Sequence, residues 1–145
     1  MNYKLENAMI NNINLLIEYK LNTILEYAEN LSQEEVKRIN NYVKINVPKQ
    51  INDYKIIKSD NKIIGCLLVV KYLDGILLDE IFIEKEYRNK KIGTNIIENI
   101  LTTNNIVYLW VYKENKKAFN LYKKLDFKII EETETRYLMK YLKIQ

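Results

Sequence analysis

The sequence predicts an α/β fold in which helices cover the faces of a mixed sheet. Two segments before residue 48 have helical spacing of apolar residues, and three strand-like runs follow between residues 54 and 83. After residue 84, helical and strand patterns alternate. The 145 residues, 48% hydrophobic and 29% charged, are enough for one compact core. We therefore expect one domain over 1–145 with the order β-α-α-β-β-β-α-β-α-β-β.

The first third of the chain predicts a short strand and two helices. "YKLE" at 3–6 is typical of a strand, and apolar residues recur at steps of three and four over 12–29. "SQEE" at 32–35 has the spacing of a capping box, which predicts that a second helix begins there. Pro48, the only proline, cannot donate a backbone hydrogen bond, so we expect this helix to end before it.

The middle of the chain predicts three consecutive antiparallel strands. "YKIIKS" at 54–59 and "KIIGCLLVVKY" at 62–72 are rich in β-branched and aromatic residues, and the turn formers Asp60 and Asn61 separate them. "LDG" at 73–75 then turns the chain into "ILLDEIFI" at 76–83. Two hairpins in succession are the simplest arrangement of these runs.

The last part predicts two helices and three strands. A third helix contains Ile96, Ile97, Ile100 and Leu101, and a fourth contains Ala118, Leu121, Tyr122 and Leu125. The fifth strand is "IVYLWVY", and "FKIIEE" with "RYLMKYL" forms a closing hairpin. A helix that connects strands four and five makes them parallel, with a right-handed crossover.

Several classes of protein are excluded by residues that the sequence lacks. There is no histidine, so Ser-His-Asp and Cys-His catalysis and histidine-containing zinc sites are excluded. Three glycines, at 65, 75 and 93, are too few and too far apart for a Walker A loop or a GxGxxG fingerprint. P-loop hydrolysis and hydride transfer on a Rossmann site are therefore poor candidates.

The composition predicts a soluble cytoplasmic protein. No apolar run reaches the roughly 18 to 20 residues of a membrane span, and the first residues do not resemble a secretory signal. Cys66 is the only cysteine and lies in the apolar run "IIGCLLVV". It has no partner for an internal disulfide, and we expect a buried strand thiol, not a nucleophile.

The positive charge is concentrated in two segments. Residues 84–94 carry four cations against two carboxylates, and residues 113–124 carry five lysines against one glutamate, in a chain of net charge +4. Such a concentration is typical of an anion site or a nucleic-acid patch, although a solvated lysine-rich surface has the same composition. Both segments fall where a strand ends and a helix begins, the usual place for ligands of α/β sheets.

The stretch "EKEYRNKKIGTNII" at 84–97 predicts a strand end, a cationic turn and the first turn of a helix. Backbone N–H groups at a helix N-terminus are not used by the helix, and the helix dipole is positive there. An anion, such as a phosphate group, is a suitable ligand for this arrangement. An ordinary charged loop is the alternative.

The chain resembles the GNAT N-acetyltransferase superfamily over essentially its whole length, and two of its segments are similar to motifs of that superfamily. "RNKKIGT" is similar to its central motif, with Arg88 in the first place and Gly93 at the second glycine, whereas Lys91 and Thr94 replace the first glycine and the final small residue. "NKKAFNLYKKLDF" at 115–127 is similar to its second motif, with Asp126 where glycine is usual. The two motifs together, in this element order, indicate the GNAT-like acyl-CoA N-acyltransferase fold.

The resemblance implies acetyl-CoA as co-substrate and no metal. Backbone amides of 89–94 suit its diphosphate, and the cations of the turn add charge. The backbone of 81–83 would pair with the pantetheine arm as an added half-strand, where strand five diverges near 109–111. The cofactor-binding residues expected on this basis are Ile81, Phe82, Ile83, Arg88, Asn89, Lys90, Lys91, Ile92, Gly93, Thr94, Asn115 and Tyr122.

Acetyl transfer to an amine requires a base and an acid. An alkylammonium has a pKa near 10.4, so a base must remove its proton at neutral pH. Asp79 and Glu80 are the candidates, and neighbours on a strand face opposite sides; a water chain is the third alternative. Tyr122 matches the usual general acid of the family, although a core tyrosine would have the same spacing.

The acceptor is left open by the sequence. A polyamine, an amino sugar, an amino acid derivative, and the N-terminus or a lysine of a protein all supply a primary amine. A homodimer is compatible with the sequence, and we expect no nucleic-acid or membrane partner. Two alternatives remain: an acyl-CoA-binding module without turnover, and a small nucleic-acid-binding domain that uses the two basic segments.

Overall fold

The structure is a computed structural model that describes residues 2–144. These residues form seven strands and four α-helices in the predicted order. The elements are β1 (Lys4–Asn7), α1 (Ile13–Tyr27), α2 (Gln33–Lys49), β2 (Tyr54–Ser59), β3 (Lys62–Tyr72), β4 (Gly75–Ile83), α3 (Ile92–Thr103), β5 (Ile106–Tyr112), α4 (Lys116–Lys124), β6 (Lys128–Glu132) and β7 (Arg136–Leu142). Short 3-10 turns, which the sequence did not predict, precede α1, β2 and α3.

The strands form one mixed sheet with the order β1-β2-β3-β4-β5-β7-β6. β2 pairs antiparallel with β1 and β3, and β7 pairs antiparallel with β5 and β6. β4 and β5 are parallel, as a helical crossover between them requires. The predicted α/β class with a mixed sheet is confirmed.

The described chain divides into two compact units. One comprises residues 2–68 and 80–85, which include β1, β2, α1, α2 and the end of β4. Its largest fully buried side chains are Leu16, Val43, Val47, Tyr54, Ile57, Ile64, Cys66 and Leu68. The other comprises residues 69–79 and 86–144, with Ile96, Val107, Leu109 and Met139 buried. The expectation of a single domain stays a prediction.

The second helix begins as predicted but ends later. Ser32 Oγ accepts from the N–H of Glu35 at 3.1 Å, and the Glu35 carboxylate accepts from the N–H of Ser32 at 3.2 Å, which confirms the capping box. The prediction that α2 ends before Pro48 is wrong, because α2 continues to Lys49. Proline removes one donor there, and the N–H of Gln50 restores the ladder by donating to the Asn46 carbonyl.

None of the helices in the described range 2–144 combines the length and the apolar character that a membrane crossing requires.

Two of the three glycines lie where strands approach closely. A Cβ at Gly65 would collide with the carbonyl oxygen of Phe82, and a Cβ at Gly75 would collide with the carbonyl oxygen of Ile106. Any larger residue would therefore push the strands apart at these two points.

The ladder between β4 and β5 is short. In the described part of the chain it consists of three Cα pairs, from Ile76 opposite Val107 to Leu78 opposite Leu109. β5 itself continues to Tyr112. Pairing therefore stops at Leu109, where the family resemblance implied that strand five diverges.

Candidate active site

The turn before α3 has the backbone that its motif requires. Asn89 and Lys91 adopt left-handed conformations, with φ of 63° and 65°. Lys91 is the N-cap of α3 and replaces the first glycine of the family motif. Residues other than Gly, Asn and Asp are uncommon in the left-handed region because their Cβ atoms crowd the backbone. The glycine conformation is thus retained although the glycine is absent.

The N-terminus of α3 presents backbone donors next to this turn. The N–H of Asn95 donates to the carbonyl of Lys91 at 3.0 Å, which is the first i to i−4 bond of the helix. The N–H groups of Ile92, Gly93 and Thr94 come before this bond and are not used by the helix. The Ile92 side chain is buried and anchors the first turn of the helix in the core. This end of α3 carries the positive pole of the helix dipole, which favours an anion.

The two basic segments meet at a hydrogen bond. The ammonium of Lys117, in the first turn of α4, donates to the side-chain oxygen of Asn89. Asn115 caps α4 by accepting from the N–H of Ala118 at 3.2 Å. The N-terminus of α4 therefore lies beside the 88–94 turn. The cations of the turn and of the first turn of α4 are Arg88, Lys90, Lys91, Lys116 and Lys117.

The end of the second motif is a helix C-cap. The N–H of Phe127 donates to the carbonyl of Tyr122 at 3.0 Å, and the N–H of Asp126 donates to that of Lys123 at 3.1 Å. This pair of bonds is the Schellman motif, which needs a left-handed residue at the position of Asp126. Asp126 has φ of 72°. The usual glycine of the family is therefore replaced here without a change of conformation.

This cap holds Tyr122 in place. The rings of Tyr122 and Phe127 lie 5.7 Å apart between centroids, and both side chains are buried. Phe127 in turn packs on Tyr141 of β7. The phenol of Tyr122 is therefore carried by a fixed helix end, which suits a group that must donate a proton at a defined point.

The two candidate carboxylates, Asp79 and Glu80, have different environments. Asp79 is exposed, whereas Glu80 is only 6% exposed. The hydroxyl of Tyr54 donates to Oε1 of Glu80 at 2.6 Å. The Sγ of Cys66 lies 3.3 Å from Oε2 of Glu80, and Nζ of Lys20 lies 3.7 Å from Oε1. The buried carboxylate thus has hydrogen-bond donors from β2 and β3 and an ion-pair partner from α1.

Cys66 is a hydrogen-bond donor in this cluster. Burial raises the pKa of the Cys66 thiol well above its usual range, and the neighbouring Glu80 raises it further. The group therefore remains protonated and is a poor nucleophile. The buried strand thiol that the sequence predicted is confirmed.

The end of β4 is held by a second polar pair. The hydroxyl of Tyr19 donates to Oε2 of Glu84 at 2.5 Å, and its ring stacks on Phe82 at 4.5 Å. Burial and then Glu84 raise the pKa of Tyr19, so its proton stays in this bond. The N–H of Glu84 donates to the carbonyl of Ile64 at 2.8 Å. These contacts hold the end of β4 against α1 and β3.

The partners of Glu80 were not found from the sequence. Lys20 and Tyr54 lie 60 and 26 residues away along the chain and follow ordinary helix and strand patterns.

Within residues 2–144, no group of three His, Cys, Asp or Glu side chains is placed to hold a metal ion.

Comparisons with known proteins agree on one family. A family model described as an acetyltransferase (GNAT) domain matches residues 51–129, more than half of the chain. A search of the curated proteins found no significant match.

Solved structures show the same fold at low identity. A PaiA N-acetyltransferase from Thermoplasma acidophilum, in complex with coenzyme A, is 21% identical with a TM-score of 0.79 over 99% of this chain and 100% of that one. PH1933 from Pyrococcus horikoshii OT3 is 22% identical with a TM-score of 0.73 over 99% and 100%. Naa50 from Arabidopsis thaliana, in complex with the bisubstrate analogue CoA-Ac-MVNAL, is 20% identical with a TM-score of 0.64 over 97% and 98%. With the matched family model, the chain belongs to the GNAT acetyltransferase family.

Proposed function

We propose that this protein is an acetyl-CoA-dependent N-acetyltransferase that transfers the acetyl group directly to a primary amine. The observation that carries the proposal is the left-handed turn at Lys91, which leads into the first turn of α3, where helical bonding does not use the backbone N–H groups. A diphosphate is the anion that several converging donors and cations suit best.

Acetyl-CoA would be bound by backbone groups more than by side chains. The amides of 89–94 bind the diphosphate, and Arg88, Lys90 and Lys91 supply positive charge. The backbone of Ile81–Ile83 hydrogen-bonds the amides of the pantetheine arm, and the short β4–β5 ladder supports an added half-strand there. Asn115 orders the start of α4, beside the turn.

The chemistry needs two protons removed from the acceptor ammonium and one supplied to the leaving sulfur. Glu80, or water that it orients, takes a proton from the acceptor ammonium, and the amine nitrogen attacks the thioester carbonyl carbon. Backbone N–H groups of β4 stabilise the tetrahedral oxyanion. The carbon–sulfur bond then breaks, Tyr122 donates its proton to the sulfur, and the second proton of the attacking nitrogen passes to the Tyr122 phenolate. The products are an amide and coenzyme A. Burial favours Glu80 over the exposed Asp79 for this role.

The acceptor class includes both small amines and peptides. The bisubstrate analogue bound to the Arabidopsis neighbour contains the peptide MVNAL, so peptides belong in the first screen beside polyamines and amino sugars.

A cytoplasmic location is part of the proposal, since a reducing compartment suits a chain with one buried thiol.

The test combines binding and turnover. Coenzyme A and acetyl-CoA should raise the melting temperature, and a thiol-release assay with a panel of amines should show turnover. Tyr122→Phe should lower kcat about 100-fold, while Tyr42→Phe, at a position that is 61% exposed, should leave it unchanged.

The other outcomes identify the alternatives. Stabilisation by coenzyme A without turnover on any amine would favour an acyl-CoA-binding module. Steep salt-dependent binding to RNA or DNA without affinity for coenzyme A would favour a nucleic-acid-binding domain.

A further inference from the structure

Lys20 differs from Tyr54 and Cys66, which also contact Glu80, because its side chain is partly exposed to solvent. Tyr54 and Cys66 come from the sheet and are 1% and 0% exposed, so a ligand from solvent has no access to them without unfolding. The Lys20 side chain is 17% exposed, whereas that of Glu80 is 4% exposed. Of the three groups, only Lys20 connects the buried carboxylate with solvent.

The ion pair between Lys20 and Glu80 is also loose. Nζ lies 3.7 Å from Oε1, beyond the 2.7 to 2.9 Å of a charge-assisted hydrogen bond. The same oxygen accepts from Tyr54 at 2.6 Å. The hydrogen bonds from the sheet therefore orient the carboxylate, while Lys20 mainly supplies compensating charge. A flexible ammonium held in this way is replaceable by another ammonium.

We infer that Lys20 is a specificity-determining residue whose ammonium holds the place of the acceptor amine at Glu80 and is displaced by it. The inference rests on the proposed function, in which Glu80 handles the acceptor proton. The exchange replaces one ion pair by another and needs no covalent step. An acceptor ammonium takes the position beside Oε1, and Lys20 swings toward solvent on its four-carbon stem.

This exchange defines the acceptor. Because Lys20 already forms an ion pair with Glu80, an amine binds beside this carboxylate only if it competes with a lysine side chain. A slender alkyl primary amine has the same head group and stem as Lys20. An aromatic amine, which is uncharged at neutral pH, cannot take the place of the ammonium. The favoured class is therefore an unbranched alkylammonium, as in a lysine side chain or a polyamine.

The kinetic test compares three proteins with n-butylamine and spermidine as acceptors. Lys20→Met removes the internal competitor, so the KM for both amines should fall about tenfold with kcat changed less than about threefold. Lys20→Arg keeps a competing cation, so its KM for both amines should fall less than that of Lys20→Met. A Lys20→Met KM that is unchanged or higher, in a protein that coenzyme A still stabilises, would overturn the inference.

A second measurement uses the folded wild type and does not depend on turnover. In protein labelled with [ε-13C]lysine, the Lys20 signal is identified by its loss in Lys20→Arg. Saturating n-butylamine should move this signal to the position that it has in Glu80→Gln. A signal that stays in place while the amine is acetylated rejects displacement. Absence of both coenzyme A binding and turnover rejects the proposed function instead, and the Lys20 signal still reports the ion pair.

Discussion

The backbone N–H of Phe127 donates to the carbonyl of Tyr122 at 3.0 Å, and this bond closes α4 in a Schellman motif. The ring of Phe127 then packs on the ring of Tyr122. The motif that identifies the family in the sequence is therefore a device that ends a helix and holds one phenol. Its glycine position is filled by Asp126 with φ of 72°.

Replacing Asp126 tests this reading of the motif. Asp126→Val places a β-branched side chain in the left-handed region, so the free energy of unfolding should fall by about 1 to 2 kcal/mol. Asp126→Gly should match or exceed the wild type, since glycine adopts this conformation without strain. Urea denaturation measures both. A valine variant as stable as the wild type would mean that the cap is not strained there.

Lys91 permits a related test at the turn before α3. Lys91→Gly should raise the free energy of unfolding by about 0.5 to 1 kcal/mol, because relief of the left-handed strain exceeds the added freedom of the unfolded chain. Lys91→Ala removes the same charge and keeps the strain, so it should not stabilise the protein. Equal stabilities of the two variants would contradict the φ of 65° at this position.

The assignment of the base is tested by two neighbouring carboxylates. Glu80→Gln should lower kcat/KM for an amine acceptor by about 100-fold to 10000-fold, because the amide cannot take a proton. Asp79→Asn changes an exposed side chain and should retain activity within about threefold. Coenzyme A should stabilise both variants as it does the wild type. If Asp79→Asn is the inactive one, the roles are reversed.

The capping box of α2 gives a pH dependence. Hydrogen bonds from the backbone and side chain of Ser32 lower the pKa of Glu35 below its usual value. A lowered pKa in the folded state means that the stabilisation is present above the ordinary value of about 4.3 and is lost as the pH falls through the folded pKa.

Glu35→Gln keeps the shape of the cap but does not titrate. Its deficit in free energy of unfolding relative to the wild type should be constant near pH 7 and should shrink below about pH 4. Glu29→Gln, an exposed carboxylate outside the helix, is the control. A deficit that grows in acid would reverse the sign and contradict the cap.

Local patterns explain why much of the fold was predictable. β2 and β3 have the predicted bounds because β-branched residues and the turn formers Asp60 and Asn61, both with positive φ, act within a few residues. The capping box likewise depends on Ser32 and Glu35 alone. Pro48 was misjudged because proline costs one hydrogen bond, which a helix tolerates near its end.

Other features depend on contacts that no local pattern contains. Glu80 has partners from three elements, and only the fold brings Lys20, Tyr54 and Cys66 to it. The contact between Lys117 and Asn89 likewise joins two basic segments that the sequence places 28 residues apart. The cationic composition indicated an anion site, but it did not show that the segments meet.

Binding of coenzyme A to Thr94→Asp tests the central claim most directly. A carboxylate at the third residue of α3 suits the helix dipole, so stability should not fall, but it repels a diphosphate. By isothermal titration calorimetry, the variant should bind coenzyme A at least about tenfold more weakly than the wild type. Pantetheine, which lacks the diphosphate, should bind both equally, and Asn99→Asp should leave coenzyme A binding unchanged. Equal affinity of Thr94→Asp and the wild type for coenzyme A would show that the diphosphate does not lie at this helix N-terminus.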